Sequence, residues 1–137
     1  MALSVNKPTV QLDTTIEGLP VKASAIIYGG ALACTDATGM CVPGAIAATL
    51  IARGVCDAKA DNTGGADGAI RANVRPGIFK FKNHGADLVV AADTGADCFI
   101  IDDETVAKTS DTGARSRAGK VVEVTADGVF VAIGLQY

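Results

Sequence analysis

Two copies of an Asp-Thr-Gly-Ala motif have the most evident potential for chemistry in this sequence. Asp93-Thr94-Gly95-Ala96-Asp97 lies between the apolar runs Leu88–Val90 and Cys98–Ile101, and Asp111-Thr112-Gly113-Ala114 follows 18 residues later. Two aspartates that share one proton can hydrolyse a peptide bond, because the ionised one activates water while the other stays protonated. The spacing and surroundings of the two motifs decide whether this chemistry is available.

The segment around Asp93 resembles the active-site loop of retroviral-type aspartic proteases. A single-chain protease of that type carries one such loop in each of two β lobes of roughly a hundred residues, for which this chain has no room. A homodimeric one needs a Gly-rich flap hairpin, but a polar loop and a final hairpin take up most of the 40 residues after Asp97. The motif therefore favours a turn, in which Asp bonds to its own backbone and Gly accepts positive φ. We expect this turn at Asp93–Asp97, with Phe99 and Ile101 on one face of the following strand.

Cysteine, histidine and consecutive acids are the remaining candidates for metal chemistry. A zinc site would need all four thiolates, or three of them with His84, gathered from scattered positions. We interpret the thiols as free and mostly buried, and His84 as a solvated loop residue. Asp102-Asp103-Glu104 does not have the spacing of a calcium loop, which favours an exposed strand end. We predict no catalytic, cofactor-binding or metal-ligating residue. The four cysteines are Cys34, Cys41, Cys56 and Cys98.

Composition limits the classes of partner. The chain has 12 basic and 15 acidic residues among 137, a net charge of −3, and no basic stripe, so we expect no nucleic-acid partner. The longest uncharged run, Ala37–Ala52, is short and contains Gly39, Pro43 and Gly44, so we expect no membrane span. Met1–Ser4 has no basic n-region followed by an apolar block, and a signal peptide is not expected.

Short apolar segments alternate with turn residues at roughly ten-residue spacing, which is typical of a β-sandwich or barrel. We predict an all-β fold: a small barrel or sandwich of short antiparallel strands with at most one short helix. An extended N-terminal arm (residues 1–13) precedes a single β domain (residues 14–137). In GIFKFKN, Phe79 and Phe81 alternate with Ile78, Lys80 and Lys82, which indicates a half-buried strand. Other predicted strands are Ala25–Tyr28, Ala31–Cys34, Thr49–Ala52 and Ala69–Val74.

Three further segments give local predictions. The Ala-rich run at 42–54 could form a short helix between Pro43 and Gly54, although a strand through Leu50 and Ile51 competes. Residues 57–68 are polar and predict a long exposed loop. The C-terminal part predicts a β-hairpin with a three-residue connection whose Gly takes positive φ. The hairpin strands are Val121–Thr125 and Val129–Leu135, with Val129, Val131, Ile133 and Leu135 on one face.

Four segments in order resemble the capsid cement (head decoration) proteins of tailed phages, especially those of Mu-like phages. They are LIARGVCDAKADN, ANVRPGIFKFKN, ADTGADCFIIDDETVAKTSD and RAGKVVEVTADGVFVAIG. That family has a segment ending in Gly-Val, then a strand around Arg-x-Gly, then apolar-x-Asp-Asp-x-Thr-Val. It closes with Ala-Gly-x-Val-x-x-Val, a turn and a Val-rich strand. The resemblance covers roughly residues 14–135, and Pro76 departs from it.

The resemblance implies a virion structural protein without enzymatic activity or cofactor. It would be made in the host bacterial cytoplasm and sit on the outer capsid surface, where it ties major capsid protein subunits together. Such proteins are homo-oligomeric on the shell, often trimeric at local three-fold positions. The N-terminal arm could add main-chain hydrogen bonds to a partner, and avidity over the lattice would compensate for weak single contacts. The alternative within this class is another phage β module, such as a tail or adaptor component.

Overall fold

The computed structural model describes residues 2, 4–7, 9 and 15–137. Within them the chain forms twelve strands, one 3-10 turn and no α-helix, which confirms the predicted all-β class. Most of the predicted arm, residues 1–13, lies outside the described residues, and the arm residues that are described are exposed. The strands are β1 Glu17–Pro20, β2 Ile26–Ile27, β3 Leu32–Thr35, β4 Cys41–Pro43, β5 Ile51–Cys56, β6 Ala60–Asp61, β7 Arg71–Arg75, β8 Gly77–Asn83, β9 Asp97–Ile100, β10 Thr105–Ala107, β11 Arg117–Thr125 and β12 Gly128–Ile133.

The described strands form an open sheet, a barrel and a strand pair. The open sheet has the order β1-β7-β5-β3-β4, and β2 pairs with β6. The barrel closes in the order β10-β8-β12-β11-β9. Its closing contact is parallel, with Thr105 opposite Lys82 and Val106 opposite Asn83, whereas its other pairs are antiparallel. The prediction of antiparallel strands is therefore wrong at this one seam.

Part of the barrel core follows from the alternation of side chains along β8, and β12 contributes an almost continuous buried run. In β8, Phe81 is buried while Lys80 and Lys82 are exposed, as the GIFKFKN pattern predicts. In β12, Val129, Val131 and Ile133 are completely buried. Open-sheet side chains complete this core: Leu32, Cys34 and Val55 pack into the same cluster.

The opposite face of the open sheet covers a second core of smaller side chains. Its members include Ala33 and Cys56, which alternate with the β3 and β5 residues that face the barrel. The β2–β6 pair closes this core, and Asn62 lies beneath it at 3% exposure. The Asn62 amide donates to the carbonyl oxygens of Val21, Lys22 and Ala66. The prediction of an exposed loop at 57–68 is correct for most of its residues, but Ala60–Asp61 form β6, and Ala60 and Asn62 are buried.

The C-terminal hairpin is confirmed, but its connection is shorter than predicted. Thr125 pairs directly with Gly128, so only Ala126 and Asp127 connect the strands. Gly128 does not have positive φ. A Cβ atom there would lie 2.7 Å from the Phe81 carbonyl oxygen, so the close approach of β8 requires this glycine.

The other predicted strands agree with the structure to different extents. Those at 25–28, 31–34, 69–74 and 78–82 correspond to β2, β3, β7 and β8, and the one at 49–52 begins two residues late, as β5. The helix considered at 42–54 is wrong. Pairing of Ile51 with Thr35 and of Ala52 with Cys34 extends the open sheet there, and tertiary pairing overrides the helix propensity of alanine.

Candidate interaction surface

A groove of about 240 Å³ opens where the starts of β5 and β11 meet the segment after β12. Three of its lining residues expose large apolar surface: Ile51 is 52% exposed, Leu135 65% and Tyr137 47%. We call this feature the C-terminal groove. Exposed apolar side chains gathered from distant parts of a chain mark a candidate protein-binding surface. The groove is lined by Leu50, Ile51, Ala52, Arg117, Gly134, Leu135 and Tyr137.

The position of Leu135 differs from the prediction that it shares one face of the last strand with Val129, Val131 and Ile133. β12 ends at Ile133, and Gly134 has φ 138°. A Cβ atom on Gly134 would lie 2.7 Å from the Pro76 Cβ, so a larger residue does not fit there. The chain leaves the strand at this glycine, and Leu135 consequently faces solvent in the groove.

β5 and the residues directly before it form one wall of the groove. Two features hold this wall in position. The Leu50 amide donates to the Ser116 hydroxyl at 2.9 Å, and this hydroxyl donates to the Ala47 carbonyl. Further along β5, Gly54 has φ 150°, and a side chain there would overlap the Arg75 carbonyl oxygen. The groove therefore lies on a wall that is hydrogen-bonded to Ser116, directly before β11, and that approaches the end of β7 closely at Gly54.

The charged group of the groove already has a partner. Arg117 Nε lies 2.8 Å from Asp97 Oδ1, and the two side chains are 37% and 48% exposed. An ion pair with this exposure contributes little to stability, about 0–1 kcal/mol. Its main consequence is that the groove presents apolar surface beside a neutralised rim.

A second recess, of about 330 Å³, has an acidic lining beside the turn between β2 and β3. The Tyr28 ring forms part of it and lies 5.3 Å from the Lys59 ammonium. Glu104 pairs with Lys82 at 2.7 Å. Burial, and then the adjacent carboxylates of Asp102 and Glu104, raise the pKa of Asp103. Among described residues no group of three or more His, Cys, Asp or Glu side chains could hold a metal ion, so this recess is not a candidate metal site.

Asp93 has a turn-forming role in the structure. Its carboxylate accepts a hydrogen bond from the Val90 amide at 2.8 Å and lies 3.7 Å from the Lys108 ammonium. Gly95 has φ 88°, as a turn requires. The apolar run Leu88–Val90 before the turn does not form a strand, and the Asn83 side chain instead holds the Val89 backbone at both its amide and its carbonyl.

We expected Phe99 and Ile101 to lie on one face of the strand that follows this turn. That strand, β9, ends at Ile100, so Ile101 lies beyond it. Cys98 and Ile100 are completely buried, whereas Phe99 points to the other face. In the second motif Asp111, Thr112 and Gly113 have φ values of 51°, 55° and 89°, which form a left-handed turn between β10 and β11.

All four cysteines are free and buried, as predicted. Burial raises the pKa of Cys34, Cys41 and Cys98 to about 12 each and also raises that of Cys56. Thiols are nucleophilic only when ionised, so these four are unreactive at neutral pH. His84, predicted as a solvated loop residue, is half-buried, and its backbone amide donates to the Val106 carbonyl.

Sequence reasoning missed the C-terminal groove because its residues are far apart in the chain. A signal for Leu135 was present in Gly134, since glycine inside a strand pattern often marks a bend. Nothing in the sequence places Ile51 beside Tyr137.

Comparisons of the chain with protein-family models, with curated proteins and with solved structures gave no match. The described part of the chain contains no helix with the length and apolar character that crossing a bilayer requires.

Proposed function

We propose that this protein is a capsid decoration protein that binds the outer surface of a phage head and stabilises contacts between major capsid protein subunits. The resemblance of four sequence segments to cement proteins of Mu-like phages is the starting point. These segments supply β5 and β6, β7 and β8, β9 and β10, and β11 and β12. The resemblance thus runs through the barrel and the middle of the open sheet.

The observation that carries the proposal is the C-terminal groove. A decoration protein acts by adhesion, so it needs apolar surface held in a fixed position on a rigid domain. Ile51, Leu135 and Tyr137 provide such a surface, and the contacts of Ser116 and Gly54 fix the wall that bears Ile51. One small groove gives a weak contact, which repetition over a capsid lattice can multiply.

Two carboxylates beside the barrel, those of Asp87 and Asp127, are engaged in holding loops of the domain in place. The Thr109 hydroxyl and amide and the Arg115 guanidinium donate to Asp87, and these hydrogen bonds lower its pKa. The Lys80 ammonium and the Thr125 hydroxyl likewise lower the pKa of Asp127. These carboxylates hold loops and the β11–β12 turn in place.

The direct test is binding to capsids. Purified protein is mixed with expanded, undecorated heads of the phage that encodes it, and the heads are sedimented. We expect saturable co-sedimentation at a fixed ratio to the major capsid protein, and increased resistance of the heads to heat. Absence of the protein from the pellet at saturating concentration would refute the proposal.

The N-terminal arm gives a second test. Deletion of residues 1–13 should abolish co-sedimentation while the domain stays folded, because the arm contributes contacts outside the domain. Circular dichroism and thermal unfolding check the fold of the deletion variant. Full binding by the folded variant would contradict a role for the arm.

A further inference from the structure

The segment at 84–96 covers one end of the barrel and links β8 to β9. β8 and β10 run parallel and finish at this end with Asn83 and Ala107, and β9 begins there. Within residues 84–96 only Val89 is buried, and its side chain packs into the barrel core cluster. We call this segment the strap. It closes the end of the barrel through a single inserted side chain.

A side chain rather than a paired strand holds the centre of the strap. The Asn83 side-chain nitrogen donates to the Val89 carbonyl at 2.8 Å, and the Asn83 side-chain oxygen accepts from the Val89 N–H at 2.9 Å. The neighbours of Val89 face solvent: Leu88 is 51% exposed and Val90 44%. Few buried apolar contacts and exposed flanks are the features of segments that open at low free energy.

Polar contacts with the barrel hold the strap on both sides of its centre. The Asp87 carboxylate accepts hydrogen bonds from the Thr109 hydroxyl and the Arg115 guanidinium. On the other side, the Gly95 N–H donates to the Val121 carbonyl at 2.8 Å, and Gly95 has φ 88°. The part between Asp87 and Gly95 can therefore turn outward about two fixed points, because both contacts lie outside the moving part.

We propose that the centre of the strap opens as a unit while the barrel strands stay paired. Opening breaks the two Asn83 hydrogen bonds and withdraws one valine from the core. This loss is small beside the unfolding of the barrel, in which β12 is paired on both sides. In the open form, solvent and small molecules reach the barrel core from this end. The proposal does not rest on the decoration function, and its test needs no capsid.

Hydrogen exchange of the full chain in native buffer, followed by NMR for single amides, measures this opening. The Val89 amide becomes exchangeable when its hydrogen bond to Asn83 breaks. We expect it to exchange about a hundredfold faster than the β12 amides, after correction for intrinsic rates, because exchange in β12 requires unfolding of the barrel. Equal protection of Val89 and β12 would overturn the proposal.

Alkylation by iodoacetamide gives a second measurement. Cys98 is buried in the same cluster as Val89, just after the strap, and Cys41 is equally buried in the second core. Burial raises the pKa of both thiols to about 12, so each reacts only after exposure to solvent. We expect Cys98 to be modified about tenfold faster than Cys41 in the folded protein, as measured by mass spectrometry of peptides. Equal rates for the two thiols would contradict a local opening at the barrel end.

Two neighbouring valines of the strap provide a matched pair of substitutions. Val89→Ala removes most of the inserted side chain and should raise the rate of Cys98 alkylation about tenfold. Val90→Ala is the control, because Val90 is exposed, and it should leave that rate unchanged. The same rate in both variants would show that Val89 does not hold the strap closed, which also overturns the proposal.

A substitution far from the strap separates local opening from global unfolding. Ile27→Ala weakens the second core, which is intact in both the closed and the open form of the strap. Exchange of the β12 amides should therefore accelerate in this variant, while exchange of the Val89 amide stays unchanged. Parallel acceleration of both would show that Val89 is released only by global unfolding and would overturn the proposal. If Val89→Ala does not fold, exchange in the unaltered protein and in Ile27→Ala decides between the two outcomes.

Discussion

The two faces of the open sheet bury different kinds of side chain. The face toward the barrel packs against large aliphatic and aromatic residues, among them Ile100, Ile133 and Phe81. The opposite face packs mainly against Ala, Cys and Val, and Asn62 lies beneath the short strand pair that closes it. Closure of a barrel leaves an interior that bulky side chains must fill. The second core is covered only by the pair of two-residue strands, so it is shallower than the barrel interior, and its packing depends on the buried amide of Asn62.

The largest difference in stability between the two cores should appear when one buried isoleucine in each core is truncated to alanine. Ile133 lies in the barrel core and Ile27 in the second core, and both are completely buried. We expect Ile133→Ala to lower the free energy of unfolding by roughly 4 kcal/mol and Ile27→Ala by roughly 2–3 kcal/mol, because the closed barrel can collapse less around a cavity. Urea unfolding measures both. A larger cost for Ile27→Ala would reverse the comparison.

The buried amide gives the next largest effect. Asn62→Ala removes three hydrogen bonds to carbonyl oxygens, each of which keeps one backbone donor, so the substitution should cost about 1–2 kcal/mol. Asn73 is exposed on β7, so Asn73→Ala serves as the control and should change the free energy of unfolding by less than about 0.5 kcal/mol. Equal effects of the two substitutions in urea unfolding would show that the amide does not support this core.

Measuring stability as a function of pH distinguishes the loop that the Asp87 carboxylate holds beside the barrel from the two apolar cores. Hydrogen bonds from Thr109, and then the Arg115 guanidinium, lower the pKa of Asp87. A lowered pKa contributes stability that is present above the unfolded-state value of about 3.9 and is lost as the pH falls through the folded-state value.

We therefore expect Asp87→Asn to reduce the melting temperature by a constant amount above about pH 5, with the difference from the unaltered protein shrinking below about pH 4. Thr109→Val, which removes the hydroxyl donor, should show the same trend in part. A difference that is independent of pH down to pH 2.5 would mean that the Asp87 charge does not anchor the loop.

The smallest effect concerns Asp93, which forms a turn outside both cores. Asp93→Ala removes the acceptor for the Val90 amide and should lower the free energy of unfolding by about 1 kcal/mol or less. Peptide-cleavage assays on the unaltered protein and on Asp93→Asn should give identical background values. Cleavage that disappears in Asp93→Asn would instead support the aspartic protease that the motif resembles.

Part of the barrel could be predicted from the sequence because β8 alternates. In GIFKFKN the half-buried Phe79 and the buried Phe81 alternate with the exposed Ile78, Lys80 and Lys82, and period two is a local property of a strand. The burial of Asn62 within the segment at 57–68 could not be predicted in this way. The polar residues of that segment favour a surface loop, and only the carbonyl oxygens supplied by residues 21, 22 and 66 make burial of Asn62 favourable.

The sequence by itself determined the all-β class, the alternating core strands, the final hairpin, the turn at Asp93 and the burial of the cysteines, because these depend on local periodicity and on side-chain polarity. The tertiary structure decided the parallel seam between β8 and β10, the two different cores and the C-terminal groove. The groove combines Ile51 with Leu135 and Tyr137, more than eighty residues further along the chain. Such contacts depend on how strands pair across the whole chain, and no local pattern contains that information.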